Sequence, residues 1–231
     1  HLLILILFVC FFGINHSANC QEDTPSYETR CVELYNEGGA FYDEGDYNSA
    51  INSLTNALEI IEGNVGKENS DYVYILGSLA FLYSEIRDYD IALEMNLECL
   101  SLREKTLGKE HPDYAMSLNN LASTYSALGD NDKALEIHLE CLSLREKILG
   151  NEHPDYALSL NNLSVTYSNL GDYNKALEMY LGSLALTEEV YGKEHPNYAT
   201  SLNNLALTYS YLGDYDKALE MNLACLALRE K

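Results

Sequence analysis

The chain has 231 residues, 47% of them hydrophobic, which is enough to build a sizeable ordered structure. It carries 14 Lys and Arg against 36 Asp and Glu, for a formal charge of −22 and a pI near 4.4. Such a charge repels a phosphate backbone and an anionic membrane surface, so nucleic acid is excluded as an expected ligand and neutral or basic partners are favoured.

Leu2 to Phe12 form an unbroken apolar run without a charge. It is shorter than the ~20 residues that span a bilayer and fits the core of a secretory signal peptide. The small residues Ser17 and Ala18 follow it, so cleavage is expected after Ala18 or Cys20. Residues 1–20 are therefore read as a leader, which puts the mature chain outside the cytoplasm, secreted or periplasmic, without membrane insertion. The alternative is a buried apolar helix on a cytoplasmic protein. The polar residues 21–29 read as a linker.

From residue 30 onward the sequence repeats. His-Pro returns at 111–112, 153–154 and 195–196, a period of 42 residues, and Asn-Asn-Leu returns from 119, 161 and 203. A fixed period of this size marks a stacked repeat array. Counting back by the same period gives five units, at about 30–70, 71–111, 112–153, 154–195 and 196–231. The first is degenerate, with Leu34, Gly38, Gly45, Tyr47, Ala50 and Ala57 in register. In the second, Arg87 replaces a Gly and Asn69-Ser70 replaces His-Pro. The fifth stops inside its second helix without a polar capping helix, which reads as a piece of a longer protein.

Each unit is expected to hold two helices. In the third, Ala115, Leu118, Leu121, Ala122, Tyr125 and Leu128 fall on one helical face. Gly129 stops that helix, and Asp130 can cap the next by accepting from its orphan amides. Ala134, Leu135, His138, Cys141, Leu142 and Arg145 mark the second helix. Pro112, Pro154 and Pro196 sit where a first-turn Pro starts a helix without losing a hydrogen bond.

These positions resemble the tetratricopeptide repeat family, and within it the 42-residue type of kinesin light chains. The matching residues are Leu121, Ala122, Tyr125, Gly129, Ala134 and Cys141, then Leu163, Ser164, Tyr167, Gly171, Ala176 and Ser183, then Leu205, Ala206, Tyr209, Gly213, Ala218 and Cys225. The usual unit is ~34 residues; the extra length here lies in the Arg-Glu-Lys helix end and the connection after it. The resemblance implies an all-α, right-handed α-α superhelix of about five helix pairs that binds proteins or peptides in a concave groove lined by the first helices. It implies no catalysis by the array itself. The competing reading is a regulatory N-terminal part of a larger enzyme or signalling protein, since arrays resembling this one precede caspase-like protease domains.

No phosphate loop, HExxH, nucleophile elbow or paired CxxC occurs in the sequence. The recurring Glu110-His111-Pro112-Asp113 set looks like metal or catalytic material, yet a catalytic residue is needed once and a structural one in every unit. Ligands on loops a repeat apart cannot all reach ~2 Å from one ion, so no metal or cofactor is expected. Cys99, Cys141 and Cys225 share one slot with Ser183 and lie too far apart for the ~7 Å that a disulfide tolerates.

The candidate binding residues lie on the other side of each first helix: Asn119, Asn120 and Ser126, then Asn161, Asn162 and Ser168, then Asn203, Asn204 and Ser210. Asn carries donors and acceptors together and can hold an extended peptide backbone whatever its side chains. Alternatively, one Asn of each pair binds a neighbouring repeat. The first helices of units two to five contain no Lys or Arg, so the basic clamps that related arrays use for acidic or C-terminal peptides have no counterpart. The expected ligand is a neutral to basic extended segment.

Overall fold

The computed structural model describes residues 26–229. The expected leader, with its apolar run and cleavage region, lies outside the described residues. Among those described, ten α-helices and no strand are found. They are α1 (Tyr27–Asp43), α2 (Tyr47–Val65), α3 (Ser70–Glu85), α4 (Tyr89–Leu107), α5 (Pro112–Ala127), α6 (Asn131–Leu149), α7 (Pro154–Asn169), α8 (Tyr173–Tyr191), α9 (Pro196–Tyr211) and α10 (Tyr215–Arg229). The first of them begins inside the stretch read as linker. Contacts divide the chain into two compact units, one up to Ile86 and one from Arg87 onward. In the first, α1 packs on α2 and α2 on α3. In the second, α5–α6, α7–α8 and α9–α10 are packed pairs, joined through α4–α5, α6–α7 and α8–α9.

Local chemistry sets the helix ends. Asp46, Asp130, Asp172 and Asp214 each cap a second helix, accepting from the amide three residues on, as from Lys133 to Asp130 at 3.2 Å. Before each of these caps the chain turns through a positive φ, between 80° and 88° at Gly45, Gly129, Gly171 and Gly213. Arg87 stands in the same slot with φ 64°, a conformation that side chains other than glycine disfavour. At the first helices the imidazole itself is the cap. Nδ1 of His111 accepts from the amide of Asp113 at 3.1 Å, and His153 and His195 repeat the bond to Asp155 and Asn197. The acceptor role explains why a histidine recurs before Pro112, Pro154 and Pro196, and Asn69 replaces it with a 2.7 Å bond from Asp71.

Inside each pair, small residues let the helices close. Ala50, Ala92, Ala134 and Ala176 have no exposed surface. The Cys/Ser slot has one shared task. Sγ of Cys141 donates to the Ala115 carbonyl at 3.2 Å, Oγ of Ser183 to Ala157 at 2.9 Å, and Sγ of Cys225 to Ala199 at 3.4 Å. In the first repeat the pair is exchanged: Ala57 holds the Cys slot, Cys31 holds the Ala slot, and the thiol donates the other way to Ala57. Cys31, Cys99, Cys141 and Cys225 are buried and in no disulfide. One expected core residue is displaced. Leu128 is the C-cap of α5 and 40% exposed, because the helix ends at Ala127 and the cap turn carries the side chain outward.

Candidate functional site

The face under question belongs to α5, α7 and α9. The paired asparagines on it bond one another across repeats. Nδ2 of Asn162 donates to Oδ1 of Asn119 at 2.8 Å, and Nδ2 of Asn204 to Oδ1 of Asn161 at 3.4 Å. Asn119 is buried, Asn161 half-buried and Asn203 exposed. Asn120, Asn162 and Asn204 are all half-buried, and their carbonyls accept from Thr124, Thr166 and Thr208 one turn later. The serines divide by neighbour. Ser126 donates to Oδ1 of Asn131 and accepts from Nδ2 of Asn169. Ser168 and Ser210 bond back to the carbonyls of Ser164 and Ala206. Ser168 also meets the Tyr180 hydroxyl, which burial pushes up to about 12.

One position that the amide stripe flanks is open to solvent in all three repeats. Ser123, Val165 and Leu207 occupy it in successive repeats, and all three are exposed, Leu207 at 54%. At one end of the face, the ammonium groups of Lys133, Lys175 and Lys217 cover the rings of Tyr125, Tyr167 and Tyr209 at 4.2–5.1 Å from the centroids. These cations come from the second helices and are spent on the rings and, for Lys175 and Lys217, on Asp172 and Asp214.

Between repeats lies a polar seam that sequence reasoning did not bring out. Arg145, one of the residues that mark the second helix of the third unit, is buried, 3% exposed. One of its terminal nitrogens donates to the Asp155 carbonyl at 2.7 Å and to Oγ of Ser159 at 2.8 Å. Arg103 makes the same two bonds to Asp113 and Ser117, at 2.8 and 2.9 Å. The available signal was a serine 14 residues after each arginine. Burial lowers the Arg103 guanidinium below its ordinary range, against the opposing pull of Asp113. His138 is buried in the same seam with no hydrogen-bond partner on Nδ1. Burial first, and the Arg145 charge second, push it down to about 4. Among the described residues no group of three or more His, Cys, Asp and Glu is placed to hold a metal ion, and no helix is long and apolar enough to cross a membrane. The geometry recurs at the α4–α5 and α6–α7 interfaces, aimed at the next helix, while Thr187 stands in the arginine slot before α9.

A tetratricopeptide repeat family model matches residues 29–105, 73–147, 113–181 and 157–231, four overlapping windows that together run from residue 29 to the last residue. The chain belongs to the tetratricopeptide repeat family. A crystal structure described as a Podosopora anserina kinesin light chain with nearly identical TPR-like repeats is 24% identical, with a TM-score of 0.71 over 87% of this chain and 94% of that one. BtubC (BKLC) from P. vanneervenii is 20% identical, with a TM-score of 0.70 over 89% and 92% of the two chains. A Rap protein, solved with the competence and sporulation factor, is 18% identical, with a TM-score of 0.74 over 87% of this chain and 54% of its own. At these identities the likeness concerns the fold, and it carries the kinesin-light-chain-like repeat geometry. No curated protein sequence matches the chain.

Proposed function

We propose that this tetratricopeptide array is a non-catalytic scaffold that holds an extended segment of a partner protein across α5, α7 and α9. The observation that carries the reading is the composition of the row Ser123, Val165 and Leu207. It is exposed, small to apolar, flanked by amides, and lies on helices without a single cation. The inter-repeat bonds from Asn162 to Asn119 and from Asn204 to Asn161 hold the row in one register, while the exposed Asn203 offers an amide to a peptide backbone. Each backbone bond to a partner adds only about 0.5–1.5 kcal/mol net, so affinity builds over several repeats. The charge of −22 favours a neutral to basic occupant and a faster encounter at low salt.

Peptide display against the protein tests this reading. Neutral to basic peptides without helical periodicity are expected to be enriched, and the double variant Val165→Glu, Leu207→Glu is expected to lose them while keeping its helix content. Enrichment of acidic peptides, or equal recovery by the variant, places the binding surface elsewhere.

A further inference from the structure

In the first compact unit the repeat slots of the amide face carry aromatic rings. Tyr35 stands in the slot of Asn119, Ser78 in that of Asn120, Phe81 in that of Ser123, Tyr42 in that of Ser126 and Tyr47 in that of Asn131. The bond from Asn162 to Asn119 has its counterpart in the hydroxyls of Tyr35 and Ser78, 3.4 Å apart and again 43 residues apart in sequence. Ser126, Asn131 and Asn169 hold one another through amide and hydroxyl bonds. The same three slots in the first unit hold Tyr42, Tyr47 and Glu85. The Tyr42 ring centroid lies 5.7 Å from that of Tyr47 and 5.6 Å from that of Phe81, with the planes tilted by 55° and 54°.

These rings are open to solvent. Phe81 is 42% exposed, and Tyr42 and Tyr47 are half-buried. The Phe81 slot is exposed in inner repeats as well, at Ser123 and Val165, so its exposure belongs to the fold. Glu85 follows Phe81 by four residues, on the same side of α3. Asp43 follows Tyr42, and both carboxylates are exposed. Burial first, and then the charges of Glu85, Tyr47 and Asp43, raise the Tyr42 hydroxyl above its ordinary range.

In the second unit the chain lays its own ammonium groups on tyrosine, Lys133, Lys175 and Lys217 over Tyr125, Tyr167 and Tyr209. The slot of Lys133 in the first repeat holds Ser49. Between residues 26 and 86 the basic side chains are Arg30 and Lys67. Arg30 lies on Glu33 at 3.2 Å, and Lys67 on Glu62 at 3.8 Å and over the Tyr72 ring. Residues 1–25 contain no Lys or Arg. The unit thus has aromatic faces edged by carboxylates, and its own cations are engaged elsewhere.

We propose that Tyr42, Tyr47 and Phe81, with Glu85 at their edge, form a platform for an arginine side chain of a partner protein. A guanidinium is planar and weakly hydrated, so it stacks on a ring face while its edge donates to a carboxylate. The platform is open, which suits a side chain held by its own backbone better than a free ion. It lies in the first compact unit, uses none of α5, α7 and α9, and is independent of the extended segment proposed for them.

The probe is the peptide acetyl-Gly-Arg-Gly-amide, followed by ligand-observed NMR as the full chain is added. Saturable binding is expected, with upfield shifts of the arginine methylenes from the rings. The lysine peptide should bind more weakly, and the neutral citrulline peptide should not bind. Phe81→Ser should weaken binding at least about threefold, in keeping with an exposed cation–π contact. Ser fills the same slot at Ser123, so the variant is expected to fold, with helix content and urea midpoint as the check. Glu85→Gln, at an exposed position, should weaken binding about twofold. Absence of binding overturns the proposal. So does binding that Phe81→Ser leaves unchanged, which would be general attraction to an acidic surface. Tetramethylammonium ion that binds as tightly as the arginine peptide and competes with it assigns the platform to a small onium ligand and overturns it as well.

Discussion

Asn162 gives its side-chain amide to Asn119, 43 residues earlier, across a distance of 2.8 Å. The acceptor is buried, so the bond is a fixed link between successive repeats and not a surface contact. Removing the donor leaves a buried acceptor unsatisfied, which costs about 1–3 kcal/mol. Asn162→Ala is therefore expected to lower the unfolding free energy by that amount, read as a lower urea midpoint with little change in m. Asn204→Ala should cost less, because its bond to the half-buried Asn161 is 3.4 Å long. Equal losses in the two variants would show that the amide bonds do not set the register.

Arg87 turns with φ 64° in a slot that glycine fills in the other four repeats. A side chain in that region costs about 1 kcal/mol, and glycine relieves it at the expense of a more flexible unfolded chain. Arg87→Gly is expected to raise stability by about 0.5–1 kcal/mol. The measurement is the denaturation midpoint against Arg87→Ala, which keeps the strained φ and should gain nothing.

The shared task of Cys141 and Ser183 makes a chemical prediction. Both donate to an alanine carbonyl in their own repeat, so Cys141→Ser should cost less than about 1 kcal/mol. Cys141→Leu forces extra volume into a site with no exposed surface and should cost about 1–3 kcal/mol. Burial pushes the Cys99 thiol up to about 12 and raises that of Cys141 in the same way. The thiolate is the reactive form, so neither cysteine should take up a thiol reagent until urea unfolds the protein. Peptide mapping by mass spectrometry reads this directly.

The parts of the fold that depend on near neighbours could be read from the residues. Asp130 three residues before Lys133, Pro112 at a helix start and Ala134 in its slot all act within one turn or one pair. The Cys/Ser equivalence pointed to a small buried site before its carbonyl partner was known. Contacts between repeats were harder to read. Asn162 meets Asn119 only because stacking offsets successive repeats by one residue more than the period, and no local pattern encodes that offset. Arg145, in the string LSLREK, looks like a solvated base; its burial follows from α7 lying across it. Leu128 shows the opposite failure, an apolar residue in helical register that a cap turn moves into solvent. The candidate site divides along the same line. The stripe was visible in the sequence, Ser123, Val165 and Leu207 on it beside the amides; which of its members face solvent in every repeat followed only once the amides were seen to bond each other.

The capping imidazoles make a graded prediction. His153 accepts from the Asp155 amide at 3.1 Å, so His153→Ala removes one cap bond and should cost about 1 kcal/mol. His153→Asn should recover most of it, since Asn69 fills the same place in the second repeat and accepts from Asp71. Leu163→Ala, at 1% exposure in the adjoining helix, should cost about 2–5 kcal/mol. Thermal melts of the three variants check the order. A melting temperature that depends on added zinc, and loses that dependence in His153→Ala, would give the histidines a metal-binding role instead.

The sharpest pH dependence belongs to His138. Its pKa in the folded chain is depressed to about 4 by burial and by the neighbouring Arg145 charge, while an unfolded histidine titrates near 6.5. Between these values the unfolded chain binds a proton that the folded chain refuses, so acid favours unfolding. The contribution of the neutral imidazole is fully present above pH ~6.5 and is lost as pH falls toward ~4, by about 3 kcal/mol in all. Carboxylates elsewhere also titrate at the lower end of this window, so the absolute curve mixes several groups. His138→Asn separates them, because Asn fills the same slot at Asn96, where it donates to Thr124. In the variant the carboxylates remain and the histidine does not. Urea midpoints of the two proteins at about pH 7, 5.5 and 4.5 give a difference curve that should open steadily in favour of the variant as pH falls. A flat difference would mean that His138 takes a proton in the folded state as easily as in the unfolded one, and that the seam between α6 and α7 is wetter than its burial implies.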